Sequence, residues 1–131
     1  MATERHLRHF QDELDHLKGR LLEMGGLAED RVRMAVRGLV ERDLTLVERV
    51  LVSDAAINQL HIEIDDRCFK LLALHQPMAV DLRAIVSAVK INTDLERVGD
   101  LAVNIAEAAH RYLHHAPVKE LIDIPKMAAI A

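Results

Sequence analysis

The sequence predicts an all-α fold, an up-down-up bundle of three long helices. Two observations carry the prediction. Apolar side chains recur every three or four residues over most of the chain, the spacing that lays them along one face of a helix. Half of the 131 residues are hydrophobic, yet aromatics make up only 2% and there are three prolines. That profile, rich in Ala, Leu, Val, Glu and Arg, suits a helical bundle better than a sheet. A chain of this length is one domain by size and long enough to bury a core.

The first helix is defined by Phe10, Leu14, Leu17, Leu21, Met24, Ala28, Val32, Ala35 and Leu39. Their stripe runs straight across Gly25-Gly26, so one long helix is expected rather than two, each glycine costing about 1 kcal/mol relative to alanine. Arg42-Asp43 opens a connector in which Leu44, Val47, Val50 and Leu51 form a short helical piece. Ser53-Asp54 then offers an N-cap for the second long helix. Ile57, Leu60, Ile64, Cys68 and Leu71 are its core stripe, and it runs to Gln76, where Pro77 removes a backbone donor and stops it. The third helix places Asp81 in its first turn, against the positive end of the dipole, and extends to about His115, before Pro117. Its expected core seam is Ile91, Leu95, Val98, Ala102, Ile105, Ala109 and Tyr112. Residues 1–116 are thus read as the bundle, and 117–131 as a linker followed, from Pro125, by the first turn of a further helix.

Several function classes find no support. The formal net charge of −4 is mild, the basic residues are spread along the chain, and two Phe and one Tyr offer no base-stacking platform. Nucleic acid is therefore not expected as a partner. Cys68 is the only cysteine, which rules out a disulfide framework within the chain and points to a small buried hydrophobe. No apolar run reaches the ~18 residues of a membrane span, and Thr3-Glu4-Arg5-His6 is not followed by an apolar leader segment, so a cytoplasmic location is expected. There is no glycine-rich phosphate loop and no serine or cysteine in a nucleophile context, so no enzymatic activity is expected.

Chemistry concentrates on the third helix. Glu96, Asp100 and Asn104 repeat at i, i+4, which stacks their oxygens on one face about 6 Å apart, close enough to share a hard cation. Short connections make neighbouring helices antiparallel. Counting outward from Pro77 then sets Asn58 opposite Glu96 and Asp54 opposite Asp100. Glu96, Asp100, Asp54, Asn58 and Asn104 are the candidate metal ligands, for Mg²⁺, Mn²⁺, Fe or Zn²⁺. The competing reading is a solvated acidic face with Arg97 paired to nearby acids. Gly99, among these residues, is expected to let a ligand or another backbone approach. A second metal pattern, Glu13-x-x-His16 with Glu107-x-x-His110, fits di-iron carboxylate spacing, but the topology puts the two motifs at opposite ends of one chain. The other histidines, including His61, His75 and the His114-His115 pair, are expected at the surface.

Gln76-Pro77-Met78-Ala79-Val80-Asp81-Leu82-Arg83, then Thr93-Asp94-Leu95-Glu96-Arg97-Val98-Gly99-Asp100 and Asn104-Ile105-Ala106-Glu107, resemble the PhoU family of bacterial phosphate-signalling regulators. Leu21-Leu22-Glu23-Met24-Gly25-Gly26-Leu27 and Asp54-x-x-Ile57-Asn58 agree with it. The resemblance implies a three-helix repeat that normally occurs twice in tandem, and metal binding through Glu/Asp-x-x-x-Asp motifs, matched here by Glu96 and Asp100. It further implies negative regulation that couples a phosphate ABC transporter to a membrane histidine kinase. The chain carries one such repeat and stops where the second is expected to begin. A single repeat leaves uncovered the apolar surface its partner would bury, so a homodimer is expected. The alternative is a structural helical dimerisation module without a metal site.

Overall fold

The computed structural model describes residues 2–114 and residue 129. Four helices follow one another: α1 (Ala2–Val40), α2 (Leu44–Val52), α3 (Asp54–His75) and α4 (Val80–Tyr112). No strand occurs among the described residues. The three long helices form the expected bundle, with α4 packed on both α1 and α3 and the short α2 closing one end between α1 and α4. The segment read as a linker and a further helix lies outside the described residues except for Ala129.

α1 passes through Gly25-Gly26 without a break. Every residue of its predicted stripe is buried or half-buried, with Leu17, Met24 and Ala35 fully enclosed. Gly38 has a different role: a Cβ there would stand 2.8 Å from Val47 Cγ2, so the missing side chain is what lets α2 lie against α1. Asp43 caps α2, its carboxylate accepting from the backbone N–H groups of Thr45 (3.0 Å) and Leu46 (3.3 Å). Ser53 stands at the N-cap of α3, but its hydroxyl donates back to the Val50 carbonyl at 3.1 Å and does not cap the helix. The turn into α4 is tight, with Gln76 in the left-handed region (φ 43°) and Ala79 also at positive φ (52°).

The interior divides into two clusters. One gathers Phe10, Leu14, Leu17 and Met24 of α1, the whole predicted α3 stripe, and Ile85 and Ala88 of α4. The other gathers Ala35, Leu39, Val47, Val50, Ala102, Ala106 and Ala109 at the α2 end. Burying each large aliphatic side chain contributes about 1.5–3 kcal/mol. Cys68 is enclosed in the first cluster, where burial pushes its thiol up to about 11, so it is an inert hydrophobe at neutral pH.

The α4 seam differs from the predicted one. Ile91 is 47% exposed, and its neighbour Asn92 is fully buried in its place. The inward stripe runs Ile85, Ala88, Asn92, Gly99, Ala102, Ala106, Ala109, with Leu95, Val98, Ile105 and Tyr112 on its half-buried flanks. Because α4 packs on three helices, α1, α2 and α3, its contact face is broader than a single apolar heptad and includes small and polar positions that a hydrophobicity count passes over.

Candidate functional site

The α3–α4 interface brings the acidic segment into the bundle. Gly99 is its point of closest approach, since a Cβ there would lie 3.2 Å from Ile57 Cδ1. The group that comes close is thus an apolar side chain of α3 rather than its backbone. One turn earlier on α4, Glu96 Oε2 meets His61 Nε2 at 2.7 Å, and another turn back, the buried Asn92 donates Nδ2–H to the His61 carbonyl at 3.0 Å. Asn58 donates to Asp54 Oδ2 at 3.2 Å, within α3. Asp100 and Asn104 lie exposed on α4.

Glu96 therefore stands opposite His61, three positions further along α3 than Asn58. The offset follows from the turn: α3 ends at His75 and α4 begins at Val80, so the centre of the hairpin lies beyond Pro77. His61 is half-buried and engaged, not a surface residue, and the sequence signal for it was its place beside the stripe between Ile57 and Ile64. His75 is also half-buried, while His114 is exposed with its ring 5.0 Å from that of His110. His115 lies outside the described residues. Glu13, from the di-iron pattern, faces Arg67 at 3.6 Å instead.

Among the described residues no group of three or more His, Cys, Asp or Glu side chains is placed to hold a metal ion. His61 Nδ1 is buried without a hydrogen-bond partner, whereas an imidazole ligand normally has its second nitrogen anchored. These residues do not form a closed, fully protein-ligated site. A hydrated hard cation asks for less, one or two carboxylates with several waters kept.

On the other side of α3 an ion network joins it to α1. Arg20 grips both oxygens of Glu63, with Nη2 at 2.8 Å from Oε1, and Arg67 Nε adds a contact at 3.3 Å. The Arg20 hydrogen bonds, helped by Arg67 and opposed by desolvation, hold the Glu63 carboxyl down from its ordinary 4.5 to about 2. A depressed folded-state pKa stabilises the fold above the ordinary value and is lost as pH falls toward the folded one. The melting temperature should accordingly fall between pH 4.5 and 2, and less steeply in a Glu63→Gln variant. Equal slopes in the two proteins would show the network to be fully screened, as exposed pairs often are.

α1 and α4 border an open apolar trough of about 810 Å³, lined by Ala28, Val32, Val36, Val40, Leu95 and Val98, with Ala129 at its edge. No helix is long and apolar enough to cross a membrane among the described residues.

A family model described as the PhoU domain matches residues 21–109. A phosphate-specific transport system accessory protein PhoU homolog of Caulobacter vibrioides is 42% identical over 107 residues, which are 82% of this chain and 46% of that protein. The homolog from Pseudomonas putida is 45% identical over 102 residues, 78% of this chain and 40% of the relative. The crystal structure of PhoU from Pseudomonas aeruginosa superposes with a TM-score of 0.88 at 36% identity, covering 92% of this chain and 58% of that one. The chain spans about half the length of the curated relatives it matches. By the extent of the family match, the identity of its relatives and the shared helical architecture, the chain belongs to the PhoU family.

Proposed function

We propose that this chain is a non-enzymatic regulatory module of phosphate uptake. It acts by protein contacts with a phosphate ABC transporter and a sensor histidine kinase, at the cytoplasmic face of the membrane, and it keeps phosphate-starvation genes off when phosphate is plentiful. The observation that carries the reading is the kinship over most of the chain with relatives named phosphate-specific transport system accessory proteins. Support also comes from the α3–α4 face, where Glu96 and Asp100 of α4 and Asp54 and Asn58 of α3 supply carboxylates and an amide. Deleting the gene should leave the starvation response on in phosphate-rich medium. Normal repression in cells lacking the protein overturns the assignment.

The acidic line is the proposed effector site, with Glu96 and Asp100 as principal ligands and Asp54, Asn58 and Asn104 supplementary. Oxygen donors do not choose sharply among hard and borderline cations, so Mg²⁺, Mn²⁺, Fe and Zn²⁺ are all to be tried. An ion bound by the folded state alone raises the melting temperature by linkage, by about 2.7 kcal/mol of stability at one hundred times its Kd. With Mg²⁺ or Mn²⁺, which imidazole does not favour, the rise should vanish in a Glu96→Ala, Asp100→Ala variant. Indifference of the wild-type melting curve to all four ions removes the site.

A second reading, a structural dimerisation module without a metal, is favoured by the apolar trough between α1 and α4. Its occupant would be a second copy of the chain, and light scattering at micromolar concentration reads the outcome. Self-association with no response to ions supports this second reading.

A further inference from the structure

Three imidazoles that the acidic line does not use gather where α1 begins and α3 ends. His6, His9, Phe10 and Glu13 stand at i, i+3, i+4 and i+7 on α1, positions that share one face of a helix. That face meets His75, the last residue of α3. His6 Nε2 and His75 Nδ1 stand 3.1 Å apart, with ring centroids at 4.6 Å. The His9 ring lies 5.8 Å from His75, and Phe10 closes the inner side at 5.0 Å. Beside the group opens a cavity of about 350 Å³ bordered by His9, Glu13, His75, Arg67 and Lys70.

Two ring nitrogens facing each other at this distance can share a proton or share a metal ion. Metal–nitrogen bonds of about 2.0–2.1 Å at a tetrahedral angle set two nitrogens about 3.3 Å apart. The two nitrogens are therefore within a few tenths of an ångström of the separation chelation requires. Desolvation first, and then the neighbouring His6 and His9, hold His75 toward its neutral form, while Glu13 pulls the other way. Neutral imidazole is the form that binds metal, and the Glu13 carboxylate, which also faces Arg67 at 3.6 Å, lies in the same cavity wall.

We propose that His6 and His75 chelate a nitrogen-preferring divalent transition ion, of the Zn²⁺, Co²⁺ or Ni²⁺ class, and so clamp the start of α1 to the end of α3. The pair supplies two ligands. No third His, Cys, Asp or Glu is yet set around a common point with them, so rotation of His9 and bound water complete the shell. The chemistry differs from that of the acidic line, because imidazole selects zinc-like ions and carboxylate alone suits Mg²⁺.

The test is titration of the full chain with Zn²⁺, and with Co²⁺ read by its visible absorption, at neutral pH. One ion per chain should bind at this site, and His6→Gln and His75→Gln should each weaken it about tenfold or more. The Glu96→Ala, Asp100→Ala variant should leave it unchanged, and Mg²⁺ should not compete. Imidazole ¹⁵N shifts of His6 and His75 should move with Zn²⁺. If His75→Gln loses helicity by circular dichroism, His6→Gln carries the test, since His6 is exposed on α1. Zn²⁺ uptake unaffected by His6→Gln, or lost only with Glu96 and Asp100, overturns the proposal.

Discussion

Alanine at Glu96 and Asp100 together will derepress the phosphate-starvation genes in phosphate-rich cells while leaving the helical bundle folded. The first half of this expectation rests on the proposed effector site. The second rests on burial. Asp100 is exposed, and Glu96, which meets His61 at 2.7 Å, retains 32% side-chain exposure. Partly solvated pairs of this kind contribute about 0–1 kcal/mol, a small fraction of the 5–15 kcal/mol typical of a domain. A reporter fused to a starvation promoter reads the regulation, and circular dichroism of the purified variant reads the fold. Full repression in the variant, with normal protein levels, shows that signalling does not pass through these carboxylates. Asp100→Ala alone separates the two groups, because it leaves the contact between Glu96 and His61 in place.

Ile64→Ala should be the most damaging of single core truncations on α3. Ile64 is fully enclosed at the centre of the predicted stripe, in the cluster with Leu17, Met24 and Ile85. Truncation removes buried methyl groups and leaves a cavity, which together cost about 2–5 kcal/mol. Ile62, two residues earlier on the same helix, is 66% exposed and provides the control. Ile62→Ala should stay within about 0.5 kcal/mol of wild type. Urea denaturation distinguishes them by midpoint, and comparable losses in the two variants would mean that α3 does not pack on the face described.

The helices were legible in the sequence because their apolar stripes are long and regular. On α3 all of the residues from Ile57 to Leu71 assigned to the core are buried, and on α1 the stripe continues across Gly25-Gly26 as expected. The family resemblance was legible too, since its motifs lie in order along those helices. What hydrophobic counting missed is polar or small. Asn92 took the inward place assigned to Ile91, because an amide with a partner on the opposing helix can be buried where a hydrophobicity scale puts it outside. His61 and His75 were placed at the surface for the same reason, and both are half-buried in contacts between helices. The predicted pairing of Asn58 with Glu96 failed on turn geometry: the hairpin centre depends on where helix dihedrals stop, and the positive φ angles at Gln76 and Ala79 extend the turn beyond Pro77.

The Asn92 amide also restricts how the hairpin can be assembled. The small inward residues Ala102, Ala106 and Ala109 of α4 offer little relief against sliding, so the stagger rests on Gly99 beneath Ile57 and on this amide. Displacing α4 by one turn would carry Asn92 away from the His61 carbonyl and leave its N–H groups buried without an acceptor, at about 1–3 kcal/mol. One amide in an otherwise apolar seam thus penalises the slipped alternatives more than it stabilises the native stagger, as a polar residue does when it fixes the alignment of a coiled coil. The height at which α4 presents its carboxylates to the outside is set from within the bundle.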